Sequence, residues 1–95
     1  MKIAIGIPAF NEENNIGPII TNLKKKYDHI LVCDDGSSDS TADIASKMGA
    51  HVVKHSKNLG YGSAIKTIFN EAKKIDCSIL VTFDADGQHQ ISEID

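Results

Sequence analysis

Two carboxylates, one residue apart, follow the last apolar run of the chain. Residues 79–83 are apolar and partly β-branched, which is typical of a buried strand, and Asp84 and Asp86 come directly after them. Carboxylate oxygens are hard ligands that suit Mg²⁺ or Mn²⁺, and these ions keep coordination positions open for phosphate oxygens. Aspartates at this spacing also cap turns, so the pair by itself leaves metal binding and local capping open.

A second acidic pair and a glycine-containing loop are further candidates for ligand binding. Asp34 and Asp35 begin a run of turn-forming residues, which is typical of a tight turn. Equally, one of the two carboxylates could accept hydrogen bonds from a base or a ribose. Gly60 and Gly62 stand where a helical pattern begins, so the backbone there could approach a phosphate, with a plain flexible loop as the alternative. His89 is either a further metal ligand or a solvent-exposed side chain.

The apolar pattern predicts four strands that alternate with three helices. Strands are predicted at residues 3–8, 29–33, 50–54 and 78–83. The three helices carry apolar stripes at helical spacing: Ile16, Ile19, Ile20, Leu23 and Tyr27; Ile44, Ala45 and Met48; Ala64, Ile65, Ile68, Phe69, Ala72 and Ile75. This alternation predicts an α/β fold, a Rossmann-like three-layer sandwich with a mostly parallel sheet of strand order 3-2-1-4. Ser92 and Glu93 indicate the start of another helix.

Three polar loops are expected to meet at one edge of this sheet. Ligands of open parallel sheets bind outside the carboxyl ends of the strands, where the strand order reverses. The loops at residues 8–13, 34–39 and 84–89 follow strands one, two and four, and strands one and four flank the reversal. Grouped carboxylates repel each other unless a cation or hydrogen-bond donors lie between them, which favours a metal at this edge.

Composition excludes several other classes of protein. The 95 residues allow one domain at most, and a net charge of -3 gives no general attraction for nucleic acid. Cys33 and Cys77 lie in or beside apolar stretches and are predicted to be buried free thiols, which favours a reducing compartment. No apolar stretch approaches the length of a membrane span, so the sequence predicts a cytoplasmic protein.

His29, His51 and His55 show no partner pattern and are predicted to be surface or strand-end residues.

Four segments of the chain carry motifs: residues 7–13 (IPAFNEE), 32–41 (VCDDGSSDST), 58–62 (NLGYG) and 83–89 (FDADGQH). Together, and in this order, they resemble family 2 glycosyltransferases of the GT-A fold, most closely the polyprenyl-phosphate (dolichol-phosphate) hexosyltransferase branch. The resemblance implies inverting transfer of a hexose from UDP- or GDP-hexose to an acceptor such as a polyprenyl phosphate, with Mg²⁺ or Mn²⁺. A full-length relative would lie at the cytoplasmic face of a membrane.

The resemblance also implies which residues bind the nucleotide sugar: Pro8, Ala9, Phe10, Glu12, Asp34, Asp35, Lys57, Gly60, Asp84, Ala85, Asp86 and Gln88. Those in the first segment would line the base and ribose pocket. Asp35, with Asp34 beside it, would contact the base. Asp84 and Asp86 would hold the metal against the diphosphate. Lys57 stands where relatives often have arginine, which keeps the charge and loses the fork geometry.

The likeness covers the donor-binding half of such an enzyme. We therefore expect residues 1–95 to be an N-terminal portion, in which a lipid-phosphate or saccharide acceptor and any catalytic base would depend on a missing C-terminal part. The oligomeric state is not indicated. The alternative is a catalytically inactive domain that binds nucleotide and metal. A calcium loop at residues 84–95 is disfavoured because His89 replaces the glycine at its sixth position.

Overall fold

A mixed sheet with helices on both faces forms the frame of the protein. The structure is a computed structural model that describes residues 2–84 and 89–93. Its strands are β1 (Ile3–Ala9), β2 (His29–Asp34), β3 (His51–Lys54), β4 (Ile79–Phe83) and β5 (His89–Glu93), and its helices are α1 (Ile16–Lys24), α2 (Thr41–Lys47) and α3 (Tyr61–Lys74). Among these described residues, no helix has the length and apolar character needed to cross a membrane.

The strand order is β3-β2-β1-β4-β5. β1 pairs in parallel with β2 and β4, and β2 pairs in parallel with β3, so the predicted order 3-2-1-4 is confirmed. β5 adds an antiparallel edge strand beside β4. The helix start predicted at Ser92 and Glu93 is wrong, because both residues pair with β4. The unpaired backbone groups at the edge of β4 offer hydrogen bonds that outweigh a local capping signal.

Two apolar clusters lie on opposite faces of the sheet. One packs α3 against the sheet and includes Ala4 and Ile68, and the other packs α1 and α2 and includes Ile5, Ile16 and Ala45. Neighbouring residues of a strand point to opposite faces, which explains why Ala4 and Ile5 belong to different clusters. The central strands β1 and β2 are therefore covered by helices on both sides, as the alternating element order predicts.

The α3 cluster includes both cysteines. Cys33 and Cys77 are buried free thiols, as predicted. Burial, followed by the nearby charge of Asp35, raises the pKa of Cys33 to about 11, and burial also raises the pKa of Cys77. Both side chains are therefore neutral at physiological pH and act as small apolar groups of the core.

Close packing of α3 on β1 depends on Gly6. A Cβ atom at this position would lie 2.4 Å from Cγ2 of Ile68, which real structures do not tolerate. The missing side chain lets α3 run against the sheet, so that its first residues lie near the carboxyl ends of β1 and β2. This placement brings the start of α3 beside the loops that follow β1 and β2.

Candidate functional site

A cavity of about 180 Å³ lies at the carboxyl ends of β1 and β2, beside the first turn of α3. Its lining residues are Pro8, Ala9, Phe10, Asp35, Asn58, Gly60, Tyr61 and Ala64. Five residues of the predicted nucleotide-sugar site are thus brought together: Pro8, Ala9, Phe10, Asp35 and Gly60. The lining combines apolar surface with one buried carboxylate, which is the arrangement found in small-molecule sites.

Asp35 is the polar centre of this cavity. Its side chain is 7% exposed, Oδ1 accepts a hydrogen bond from the backbone N of Leu59, and Oδ2 accepts one from the N of Gly60, both at 2.9 Å. Its own backbone N donates to the carbonyl oxygen of Ala9 (2.8 Å), which ties the ends of β1 and β2 together. Burial opposes ionisation, but the hydrogen bonds from His55 and the two amides outweigh it and lower the pKa of Asp35. A carboxylate that is ionised at neutral pH therefore faces the cavity.

Asp35 has a further partner in His55, for which the sequence shows no partner pattern. Of the predicted alternatives, surface or strand end, the second holds, because His55 follows β3 directly. His55 is not a surface residue: its side chain is 11% exposed and its Nδ1 lies 2.8 Å from Oδ1 of Asp35. Its Nε2 lies 2.8 Å from Oγ1 of Thr67 on α3. The predicted strand order could have indicated this contact. It makes β2 and β3 neighbours, so the residues that directly follow the two strands lie close together. His51 also has a partner, with Nε2 at 2.9 Å from Oε1 of Glu71.

The loop after β2 approaches the loop before α3 through Gly36. This glycine has a φ of +78°, and a Cβ atom there would lie 2.3 Å from the carbonyl carbon of Lys57 and 2.5 Å from the N of Asn58. The approach fixes the backbone that leads to Leu59 and Gly60. Lys57 itself is exposed, and its backbone forms this contact with the turn. A role of its side chain in binding a diphosphate stays a prediction.

Asp34 shapes the turn beneath the site. It is 1% exposed, and its Oδ1 accepts a hydrogen bond from the backbone N of Ser37 (3.1 Å). The N of Asn11 donates to Oγ of Ser37 (2.9 Å), and the N of Ser38 donates to Oδ1 of Asn11 (3.0 Å). These bonds match the turn interpretation of Asp34. Its predicted contact with a nucleotide stays a prediction.

A second set of hydrogen bonds holds the segment that contains Glu12. The backbone N of Glu12 donates to Oγ1 of Thr41 (2.8 Å), and the N of Glu13 donates to Oδ2 of Asp39 (3.2 Å). Thr41 is fully buried and donates both its hydroxyl and its backbone N–H to Asp39. Burial opposes ionisation of Asp39, but these bonds outweigh it and lower its pKa. Glu12 is therefore held near the ends of β1 and β2, although it does not line the described cavity.

Asp84 follows β4 and connects the cavity to the predicted metal site. The hydroxyl of Tyr61, a residue of the cavity lining, donates to Oδ1 of Asp84 at 3.2 Å. The predicted site residues Ala85, Asp86 and Gln88 lie outside the described residues. Within residues 2–84 and 89–93, no three His, Cys, Asp or Glu side chains are grouped so as to hold a metal ion. The carboxylate oxygens of Asp84 are nevertheless the donor type that Mg²⁺ and Mn²⁺ prefer, so this residue fits such an ion.

Comparison with known proteins gives a consistent result. Residues 4–94 match the family model described as "Glycosyl transferase family 2". An uncharacterized protein of Methanocaldococcus jannaschii is 45% identical over 99% of this chain and 39% of its own length. The UDP-N-acetylglucosamine–dolichyl-phosphate N-acetylglucosaminyltransferase of Methanococcus voltae is 36% identical over 93% of this chain and 42% of its own length.

The fold is also found in a solved enzyme. Glucosyl-3-phosphoglycerate synthase from Mycobacterium tuberculosis, in complex with Mn²⁺, UDP and glucosyl-3-phosphoglycerate, superposes with a TM-score of 0.73 and 27% identity, over 88% of this chain and 33% of that one. The chain thus spans less than half the length of the proteins it matches. Its sheet is that of the GT-A glycosyltransferases. With nearly all of its residues matched by the family model, the chain belongs to glycosyl transferase family 2.

Proposed function

We propose that this chain binds a nucleoside-diphosphate hexose, UDP- or GDP-linked, together with Mg²⁺ or Mn²⁺, as the donor part of an inverting glycosyltransferase. The observation that carries the proposal is the cavity at the carboxyl ends of β1 and β2, which holds an ionised Asp35 and is joined to Asp84 through Tyr61. The M. voltae relative is named for a UDP-sugar, and the M. tuberculosis structure contains UDP and Mn²⁺.

The base of the nucleotide would lie in the described cavity. Pro8, Ala9 and Phe10 supply apolar surface, and Phe10, which is 45% exposed, would contact a planar base. Stacking of a base on an aromatic side chain contributes about 1–3 kcal/mol. Asp35 would accept an N–H of the base, because its ionised carboxylate can only accept hydrogen bonds.

The diphosphate would lie toward the end of β4. Asp84, with Asp86 from the family resemblance, would hold the metal ion there. When bound, such an ion neutralises charge on the leaving diphosphate and thereby stabilises the breaking of the glycosidic bond. The hydroxyl of Tyr61 donates to Oδ1 of Asp84 and thereby orients the carboxylate, and we propose that the other oxygen would bind the ion.

The acceptor would be a polyprenyl phosphate, in line with the dolichyl-phosphate in the name of the M. voltae relative. A phosphate acceptor is already anionic, so its attack on the sugar needs no general base. We place acceptor binding in a part of the enzyme that corresponds to the unmatched length of the relatives, and propose that the 95 residues alone bind the donor without transferring sugar. Release of UDP from a UDP-sugar upon addition of a polyprenyl phosphate would contradict that last point.

Thermal unfolding in the presence of UDP tests donor binding. A ligand that binds only the folded state stabilises it by about 2.7 kcal/mol at a hundred times its Kd. UDP should therefore raise the Tm when Mn²⁺ is present and should have little effect with EDTA. Asp84→Asn should abolish the metal-dependent part of the shift, whereas Asp28→Asn, at an exposed position on the opposite edge of the sheet, should preserve it.

Two outcomes would contradict the proposal. Equal stabilisation by UDP with and without metal, or in Asp84→Asn, would exclude the metal role. No stabilisation by UDP or by GDP with either ion would exclude donor binding.

A further inference from the structure

His55 connects three elements at the site. It follows β3, and its backbone N donates to the carbonyl oxygen of Asp34 at 2.8 Å, which extends the pairing of β2 and β3 by one bond. Its ring then lies between Asp35 at the end of β2 and Thr67 on α3, at 2.8 Å from each. Sγ of Cys33 lies 3.6 Å from Nε2. The ring is therefore held from both nitrogens and is largely shielded from solvent.

The position of one ring proton follows from its partner. Asp35 is ionised, and an ionised carboxylate has no hydrogen to donate, so Nδ1 of His55 must carry the proton in the bond to Oδ1. Nε2 faces the hydroxyl of Thr67, which can either donate or accept. The bond to Thr67 can therefore form whether or not Nε2 carries a proton. The bond to Asp35 requires a proton on Nδ1 in either case.

The same bond limits what Asp35 can still accept. A carboxylate has about four acceptor positions. Oδ1 already accepts from His55 and from Leu59, and Oδ2 accepts from Gly60. Among the contacts of residues 2–84 and 89–93, one position of Oδ2 is left. A base that offers a single N–H, as uracil does at N3, matches this capacity.

We propose that His55 is a positioning residue for nucleotide recognition: its Nδ1–H fixes the Asp35 carboxylate so that one acceptor position faces the base. This inference rests on the proposed function, because Asp35 must be the carboxylate that meets the base. Without the bond from His55, the carboxylate loses its only side-chain donor among the described contacts and can rotate about χ2. The amides of Leu59 and Gly60 would then bind a displaced carboxylate.

Two variants of His55 separate the role of each nitrogen. The amide nitrogen of asparagine is attached to Cγ, as Nδ1 is, so His55→Asn retains a donor to Asp35. The longer His55→Gln places its amide near Thr67, where Nε2 lies, and removes the donor to Asp35. We expect Kd for UDP with Mn²⁺ to increase about tenfold in His55→Gln, equivalent to about 1.4 kcal/mol, and less than threefold in His55→Asn.

Pyrophosphate with Mn²⁺ serves as a probe that lacks the base, and neither substitution should change its Kd. Long-range ¹H–¹⁵N spectra of the wild-type protein should show His55 protonated at Nδ1. Thr67→Val is a control for general loosening, since it removes the partner of Nε2 and leaves the bond to Asp35 in place. UDP should bind this variant within threefold of the wild type.

Several results would overturn the inference: an unprotonated Nδ1, unchanged UDP affinity in His55→Gln, or an equal loss of affinity for UDP and pyrophosphate. If His55→Gln does not fold, a tenfold loss in His55→Asn would overturn it as well. Failure of the wild-type protein to bind UDP would instead contradict the proposed function. The ring spectrum, which needs no nucleotide, would then still decide whether His55 holds Asp35 through Nδ1–H.

Discussion

Replacement of Gly36 by alanine should separate the loop after β2 from the loop before α3. The added Cβ would lie 2.3 Å from the carbonyl carbon of Lys57, whereas ordinary contacts begin at 3.4 Å, so the Lys57–Asn58 peptide must move by about 1.1 Å (3.4 − 2.3). The hydrogen bonds from the N atoms of Leu59 and Gly60 to Asp35 are both 2.9 Å long. A displacement of that size at the preceding peptide breaks at least one of them, since N–H···O bonds in proteins have donor–acceptor distances of about 2.7–3.2 Å.

Two costs add up in this variant. A non-glycine residue in the left-handed region costs about 1–2 kcal/mol. A lost hydrogen bond to a charged, buried carboxylate costs about 1.5–3 kcal/mol. We therefore expect Gly36→Ala to lower the free energy of unfolding by about 3 kcal/mol or more. For a domain of this size each kcal/mol corresponds to roughly 4–8 °C in Tm.

Gly49→Ala is the matched control, measured by the same urea and thermal unfolding. Gly49 also has a positive φ, of +95°, but its added Cβ would meet only the flexible end of the Lys24 side chain, at 3.0 Å. It should cost about 1–2 kcal/mol and leave the affinity for UDP unchanged, whereas Gly36→Ala should weaken UDP binding as well. Equal destabilisation by the two substitutions, or normal UDP binding by Gly36→Ala, would refute the account of the loop contact.

Three further predictions follow from the described contacts. Tyr61→Phe removes the hydroxyl that donates to Asp84, so the Kd for Mn²⁺ in the presence of UDP should increase severalfold in calorimetry; an unchanged Kd would contradict the link between cavity and metal site. The folded state lowers the pKa of Asp35, so its stabilising contribution is present above the ordinary aspartate value of about 4 and is lost as the pH falls through that value and then through the folded pKa. Urea unfolding should therefore show a decline in stability below about pH 4. Asp35→Asn should be less stable at pH 7 and should decline less in that acidic range; parallel profiles would count against this. Burial and raised pKa values should keep Cys33 and Cys77 from reacting with a thiol reagent at pH 8 until the protein unfolds, so rapid modification of the folded protein would be the contrary result.

The sequence predicted the order of the elements because local patterns carry that information. Apolar residues at helical spacing, as in Ile16, Ile20 and Leu23, identify the face that packs on the sheet, and strands that alternate with helices require parallel pairing. β5 was missed because its pairing depends on the free edge of β4, which no local pattern reports. Ser92 and Glu93 look like the start of a helix when considered alone.

The candidate site was predicted in part, for a similar reason. Asp35 could be singled out from its turn, but its amide partners Leu59 and Gly60 come from a loop more than twenty residues away. His55 was missed because its role depends on the register of β2 and β3, in which Asp34 lies opposite Lys54 and the following residues meet. Residue type and spacing identified the carboxylate, and only the tertiary arrangement identified what holds it.

The central claim is that nucleotide binds at the carboxyl ends of β1 and β2. It is tested most directly by ¹H–¹⁵N correlation spectra of the protein titrated with UDP in the presence of Mg²⁺. The largest shifts should occur at the amides of Leu59 and Gly60, which donate to Asp35, and at residues 9 and 10 beside the cavity. Shifts confined to the groove at the amino ends of β1 and β2, lined by Lys2, Tyr27 and their neighbours, would contradict the account, and so would the absence of any shift.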